Sequence, residues 1–443
     1  MLSEHEAKSI IEKVLSYSKA DEAEVNLSGG STSHLRFARN TPSTSGTADN
    51  VTLSVRSTFG KKSGSATTNQ FDEKALRDVV RRSEELAQLS PEDPEFLPAL
   101  GPQQYLAVKA YYDSTAKIGP EYLANGAAEC IRQASEKKLI AAGFIRTTAG
   151  MNAIGNSKGL FGYHRATTVF FSETVRTTEG DGSGWVTRGG NKPEDLNFKQ
   201  LSRIAIEKAL RSAKPRELPP GKYVTILEPS CVADLMQSLG FALDARSADE
   251  GRSFFSKPGG GNRLGEKIFP DVVNIYSDPT DPTVPGSPWG GGGLPQRRVD
   301  WIKNGVVTNL SYSRYWAERQ GKEPIPPPSN IIMKGDSGSL DDLIKSTKQG
   351  VLVTSFWYIR PVDPRNLLLT GLTRDGVFWI ENGKIAYPVM NFRWNDSPIS
   401  VLKNIDAMSK EMRMPPRESQ STNIVVPALR LKEFNFSSLS EAV

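Results

Sequence analysis

Few side chains in this chain could hold a metal, carry a proton or attack a carbon. Its 443 residues contain three histidines, His5, His34 and His164, and two cysteines, Cys130 and Cys231. A three-histidine zinc site would need all of them to converge from separate segments. His5 is followed by Glu6, but no second histidine stands one helical turn on, so the pair is not a metal-binding helix motif. His34 and His164 lie in alternating, strand-like sequence and read as surface or satisfied core side chains. Cys130, among Ala127, Ala128 and Ile131, reads as the buried face of a helix. Cys231 stands near a helix start at Pro229, where the helix dipole would favour a thiolate. A cysteine nucleophile also needs a base, and no histidine is close to it in sequence.

Other tempting pieces have plainer explanations. Gly259-Gly260-Gly261 and the run from Gly290 to Gly293 lack the spacing and the strand-to-helix setting of a phosphate loop. Asp341-Asp342 and Asp278 with Asp281 sit in cap or turn contexts.

The elements that would position these residues can be read in order. Residues 3–18 predict a helix with Ser3 as cap and Glu6 in the capping-box position; Ile10, Ile11, Val14 and Leu15 form its apolar face. Short strands are expected at 23–27, 34–38, 51–58 and 63–67. A helix over 72–89 should turn Leu76, Val79, Val80 and Leu86 inward. Residues 90–101 hold three prolines and read as a connector. Beyond it come a helix at 121–137, strands at 140–147, 166–174 and 184–187, and a helix at 197–212. The fold class is α+β, with N-terminal helices on a mostly antiparallel sheet in meander order.

Residues 214–221, with three prolines and a glycine, mark a boundary between an N-terminal α+β domain (1–214) and a C-terminal β-rich domain (222–443). Residues 222–269 predict a strand, a helix, a charged turn and a return into a second strand. Val232, Leu235, Met236, Leu239 and Leu243 make the helix an apolar stripe. The Pro/Gly-rich segment 278–295 reads as a mobile surface loop. Two Asn-Gly hairpins are expected, around Asn304-Gly305 and Asn382-Gly383. Short helices at 311–320 and 339–346 and a closing strand over 424–436 complete a curved or barrel-like antiparallel sheet with a few helices.

Composition narrows the function classes. The 55 basic and 50 acidic residues are interleaved and leave a net charge of +5, so a nucleic-acid or anionic-membrane partner has no support. The longest apolar run, at 351–359, is strand-sized rather than membrane-spanning. Two cysteines give no disulfide framework, and the first ten residues carry no signal-peptide pattern; both suit the cytoplasm.

Several segments, in the right order over nearly the whole chain, resemble the TldD/PmbA (TldE) family. They are Gly251-Arg252-Ser253-Phe254-Phe255 with Leu264-Gly265-Glu266-Lys267-Ile268-Phe269, then the run from Gly293 to Arg298 leading to Ile302-Lys303-Asn304-Gly305. Val362-Asp363-Pro364 follows, leading to the run from Phe378 to Ile385 with Pro388-Val389. The N-terminal half matches at 64–69 and at Asn156-Ser157-Lys158-Gly159. The resemblance implies a peptidase-related fold in which the catalytic members bear an HExxxH zinc helix just before the Gly-x-Ser-x-Phe segment, plus a distant cysteine ligand. Counted back from Gly251, the slots fall on Met236, Gln237 and Phe241, and no cysteine follows Cys231. A thioether is a poor zinc ligand, phenylalanine offers none, and glutamine cannot act as a general base.

The C-terminal domain is therefore expected to be a degenerate, metal-less metallopeptidase domain. It has no catalytic, cofactor or metal residues of its own, and zinc is expected only in a TldD-type partner. The implied role is a non-catalytic subunit of a TldD/TldE-type protease complex acting on unfolded peptides. The alternative is a stand-alone homodimeric scaffold that binds peptides or a partner.

Overall fold

The computed structural model describes residues 1–420 and 423–441; of the expected C-terminal part, residues 421, 422, 442 and 443 lie outside it. The chain opens with helix α1 (Glu4–Tyr17), where Ser3 and Glu6 form the expected reciprocal cap. Three strands follow, β1 (Glu22–Ala38), β2 (Thr41–Phe59) and β3 (Lys62–Thr68), then α2 (Glu73–Leu89), capped by Asp72. After an extended connector come α3 (Asp113–Ala116), α4 (Pro120–Glu136), β4 (Ile140–Asn156), β5 (Phe161–Arg176), β6 (Ser183–Gly190) and α5 (Phe198–Ser212). All six strands form one antiparallel sheet in the order β3-β2-β1-β4-β5-β6. It is two three-stranded meanders joined through β1 and β4, not one continuous meander.

The strands are far longer than the short segments expected. Gly29-Gly30 reads as a break in the sequence but lies inside β1, with φ of 149° and 156°. A Cβ at Gly29 would overlap the Asn50 carbonyl of β2, and one at Gly30 the Ala149 carbonyl of β4. The two glycines thus let three strands run close side by side. Residues 41–50 are all exposed yet remain paired to β1, so their polarity hides a strand.

Both helix pairs cover one face of this sheet. Alternate residues Val25 and Leu27 of β1 pack with α1 and α2, while Leu35 and Phe37 pack with α4 and α5. In α2, Ser83 and Ala87 take inward places beside Leu76, Val79 and Val80. Leu86, expected inside, is 47% exposed.

The second half starts with β7 (Gly221–Leu227), α6 (Pro229–Ala242) and α7 (Ala245–Asp249). Residues 264–269 do not return as a strand; only an isolated bridge joins Lys267 to Val306. Next are β8 (Ile275–Ser277), β9 (Val299–Lys303), β10 (Val306–Val307), α8 (Arg314–Gln320), β11 (Ile331–Met333), α9 (Leu340–Lys345) and β12 (Gln349–Val353). The chain then runs through β13 (Phe356–Asp363), β14 (Leu368–Thr373), β15 (Val377–Glu381), β16 (Lys384–Pro388), β17 (Phe392–Asp396), α10 (Pro398–Lys403) and β18 (Ile405–Met408). It ends with β19 (Met412–Arg413), β20 (Ile424–Val426) and β21 (Leu429–Leu439).

Two open sheets result, not a closed barrel. One runs β10-β9-β8-β11-β20-β19. The other runs β13-β14-β17-β21-β7-β12-β15-β16, with β18 paired to β21. Each is antiparallel except for one parallel pair, β11 with β20 and β7 with β12. The expected closing strand at 424–436 is split between the sheets as β20 and β21. Both Asn-Gly turns form as read, with φ of 50° and 75° at Asn304-Gly305 and 49° and 76° at Asn382-Gly383.

Segment 278–295 is not a free surface loop. Val284 is fully buried, and the Asn330 side chain donates to the carbonyls of Asp278 and Val284. Tyr105 donates to the Gly293 carbonyl at 2.7 Å and packs on Trp289, tying the segment to the N-terminal half. Its proline and glycine content shapes tight turns that are held in place by these contacts.

Candidate functional site

Helix α6 is the hub of the C-terminal half. Its residues Cys231, Val232, Ala233, Leu235 and Met236 are fully buried, and Leu239 and Leu243 are nearly so. A helix apolar nearly all round belongs in a core. This one lies among strands of both sheets, against Met333, Val353, Phe356 and Val426.

The three slots face different surroundings. Met236 is fully inside the core, and Phe241, five residues on, is 81% exposed. One is sealed inside and the other stands in solvent, so the two side chains do not converge. Gln237 donates from Nε2 to Ser419 Oγ at 2.8 Å. A thioether, an amide and a phenyl ring placed in this way do not fit a zinc ion. Among the described residues no group of three His, Cys, Asp or Glu side chains is gathered to hold a metal.

Beside Phe241 a shallow cavity of 470 Å³ is lined by Ser238, Arg252, Ser253, Pro364 and Leu367. Ser253 is buried, donates to the Ala242 carbonyl and accepts from the Phe255 amide, so the Gly251–Phe255 segment is a structural turn against the end of α6.

Residues 414–420 form a strap across α6. Glu418 accepts from the Ile359 amide and pairs with Arg360, while Ser419 holds Gln237. Asp234, buried on α6, accepts from the Arg417 amide at 2.9 Å through Oδ1; its Oδ2 has no partner. Burial pushes this carboxyl up to about 7, against the pull of Arg417. The Arg417 side chain reaches Asp375, with Nη1 at 2.6 Å from Oδ2 as an ion pair whose N–H axis is poorly aligned. It also donates to Ser355 Oγ and covers the Trp185 ring at 4.5 Å. Ser183 of β6 donates to the other oxygen of Asp375 at 2.5 Å. Burial alone would raise Asp375, but Arg417 and Ser183 outweigh it and hold the carboxyl below its usual range. None of Asp234, Asp375 or Arg417 stands in a motif, so only their burial and proximity reveal them.

The histidines and cysteines stay apart. His5 is exposed at the start of α1, His34 packs near Phe144, and His164 lies against Trp289. Burial lowers His164 to about 4, so it is neutral at pH 7. Cys231 is at the start of α6 as expected, but burial there pushes its thiol up, so the dipole does not yield a reactive thiolate. Cys130 is likewise buried and raised. Asp342 accepts from the α9 cap residue Ser339, and Asp278 and Asp281 close turns.

Comparison with known proteins follows the same order of parts. Residues 23–87 match the family model "PmbA/TldA metallopeptidase domain 1", 113–213 its "central domain" and 220–438 its "C-terminal domain". A "Metalloprotease" of Methanothermobacter thermautotrophicus is 27% identical over 50% of this chain and 50% of its own length. The matched stretch thus spans about half the length of the first curated relatives. "Metalloprotease PmbA" of Escherichia coli O157:H7 is 22% identical over 84% of this chain and 83% of its own. The crystal structure of TldE from Thermococcus kodakarensis shares the fold, with a TM-score of 0.85 at 18% identity over 97% of this chain and 99% of that one. Fold and ordered matches together define a metallopeptidase-family protein. The chain belongs to the PmbA/TldD family. Among the described residues no helix is long and apolar enough to cross a membrane.

Proposed function

We propose that this chain is the non-catalytic subunit of a cytoplasmic metalloprotease complex. Its partner is a homologue that carries HExxxH and holds the zinc, and the substrates are unfolded peptides. What supports the reading is the helix that should bear the zinc ligands. Met236 is sealed in the core, Gln237 is engaged by Ser419, and Phe241 is exposed, away from Met236. The family to which the chain belongs supplies the reaction class. A chain that keeps the fold and not the donors contributes shape, binding surface and enclosure.

The test is an affinity pull-down of the chain from its native extract, followed by peptide digestion with the recovered complex. An HExxxH homologue should co-purify. The complex should cleave an unfolded peptide and stop on chelation, while this chain alone should do neither. Cleavage by the chain alone would overturn the reading. Recovery of only further copies of the chain would replace it with a homodimeric peptide-binding scaffold.

A further inference from the structure

A second cavity, of 680 Å³, opens between α5 and β6 on one side and the nine-stranded sheet on the other. That volume lies inside the range of about 300–1,000 Å³ typical of small-molecule sites. Its walls are mostly apolar, with Trp185, Leu352, Phe378, Ile385, Met412 and Met414 turned into it.

The charged groups within it are not alike. Lys208 and Glu228 lie at 2.6 Å, each 14% exposed, and neutralise one another. Arg188 also lines the cavity, half-buried, but among the described residues its hydrogen bonds are neutral and long: to the Arg413 carbonyl at 3.5 Å and to Met412 Sδ at 3.7 Å. No carboxylate among the described residues lies within ion-pair distance of it. Burial lowers its affinity for the proton, and nearby Glu228, already paired with Lys208, offsets this only in part. At the rim, Arg211 and Lys410 are exposed without ion pairs among the described residues, facing Asp341; Glu207 is engaged by Arg203.

We propose that this cavity binds a single carboxylate carried on an apolar body, with Arg188 as the partner of the carboxylate. A guanidinium is built to meet a carboxylate with two parallel donors. The apolar walls favour a ligand whose remaining surface is hydrocarbon. A dianion such as phosphate would have to leave water for one interior cation, which disfavours it. The C-terminal residue of a peptide and a free fatty or aryl acid share this chemistry. The inference stands whether or not the chain has a proteolytic partner.

The experiment is calorimetric titration of the full chain with three probes: acetyl-Leu-Phe, its C-terminal amide, and 4-phenylbutyrate. At least one acid should bind saturably, and the amide should bind about tenfold or more weakly than its acid, the scale of one charge-assisted hydrogen bond. Tighter binding of the peptide acid assigns the site to peptide C-termini; tighter binding of phenylbutyrate assigns it to non-peptide acids. Arg188→Gln should abolish the difference between acid and amide, and Ile385→Trp, which fills the wall, should weaken both acids. Equal binding of acid and amide, or no saturation by either acid at millimolar concentration, overturns the proposal. So does an acid preference that survives in Arg188→Gln. If that variant does not fold, the acid and amide comparison on the unaltered chain decides.

Discussion

Glu173 in β5 and Asp375 before β15 are equally removed from water, each about 1% exposed, yet their carboxyls shift in opposite directions. Glu173 has one hydroxyl, Ser202 Oγ at 3.1 Å, and the Cys130 thiol beside it; its second oxygen has no partner. Burial therefore pushes it up to about 7. Asp375 has Ser183 on one oxygen and Arg417 on the other, and it is held below the ordinary range. Depth is the same in both places, and the cation makes the difference.

The contrast can be broken first at the arginine. Arg417→Met leaves the Asp375 carboxylate buried without its cation, and denaturant unfolding at pH 7 should show a loss of about 3–5 kcal/mol. The double variant Arg417→Met with Asp375→Asn should recover much of it. A single variant as stable as the parent would mean that Asp375 is already neutral.

The next effect is smaller and depends on pH. Glu173 has a folded value near 7 against about 4.5 when unfolded. The folded state thus keeps its proton longer, and stability falls as pH rises from about 4.5 to 7, then levels off, by up to roughly 3 kcal/mol. Glu173→Gln should flatten that part of the profile and stabilise the protein at pH 8 by about 1–3 kcal/mol. Melting curves across pH 5–8 that keep the same slope in the variant would remove Glu173 as its source.

The smallest effect removes burial altogether. Phe241, on the exposed end of α6, should accept Phe241→Ser within about 0.5 kcal/mol of stability. Under the proposed subunit role, an exposed ring at this end of α6 would serve binding, so recovery of the HExxxH homologue in the pull-down should fall. A large loss of stability in the isolated chain would show that the ring is packed in solution.

What could be read from the sequence was local. The Ser3–Glu6 cap, the two Asn-Gly turns and the apolar stripe of α6 are signals a few residues long, and each formed where expected. The long strands were missed because Gly29-Gly30 and the Ser/Thr-rich 41–50 carry turn-like composition. Residues 41–50 are held as a strand by the hairpin with β1, and Gly29-Gly30 also by pairing with β4, far along the chain. Arg417, Asp234 and Asp375 were invisible for a related reason. Ser183 and Asp375 are 192 residues apart, and no spacing rule brings them together. Arg188 belongs to the same class: its importance lies in the carboxylate that the surrounding fold does not give it.

The overhang of β2 has a consequence for how its backbone exchanges with solvent. β3 pairs only with residues 53–59, while β1 pairs with the other edge all along, so among the described residues the outer edge of 41–52 meets no strand. Successive amides of a strand point to opposite edges. In deuterated water, alternate amides from Ser43 to Thr52 should therefore exchange quickly and their neighbours slowly. The twofold rhythm should give way to uniform protection at Leu53, where β3 begins to cover the edge.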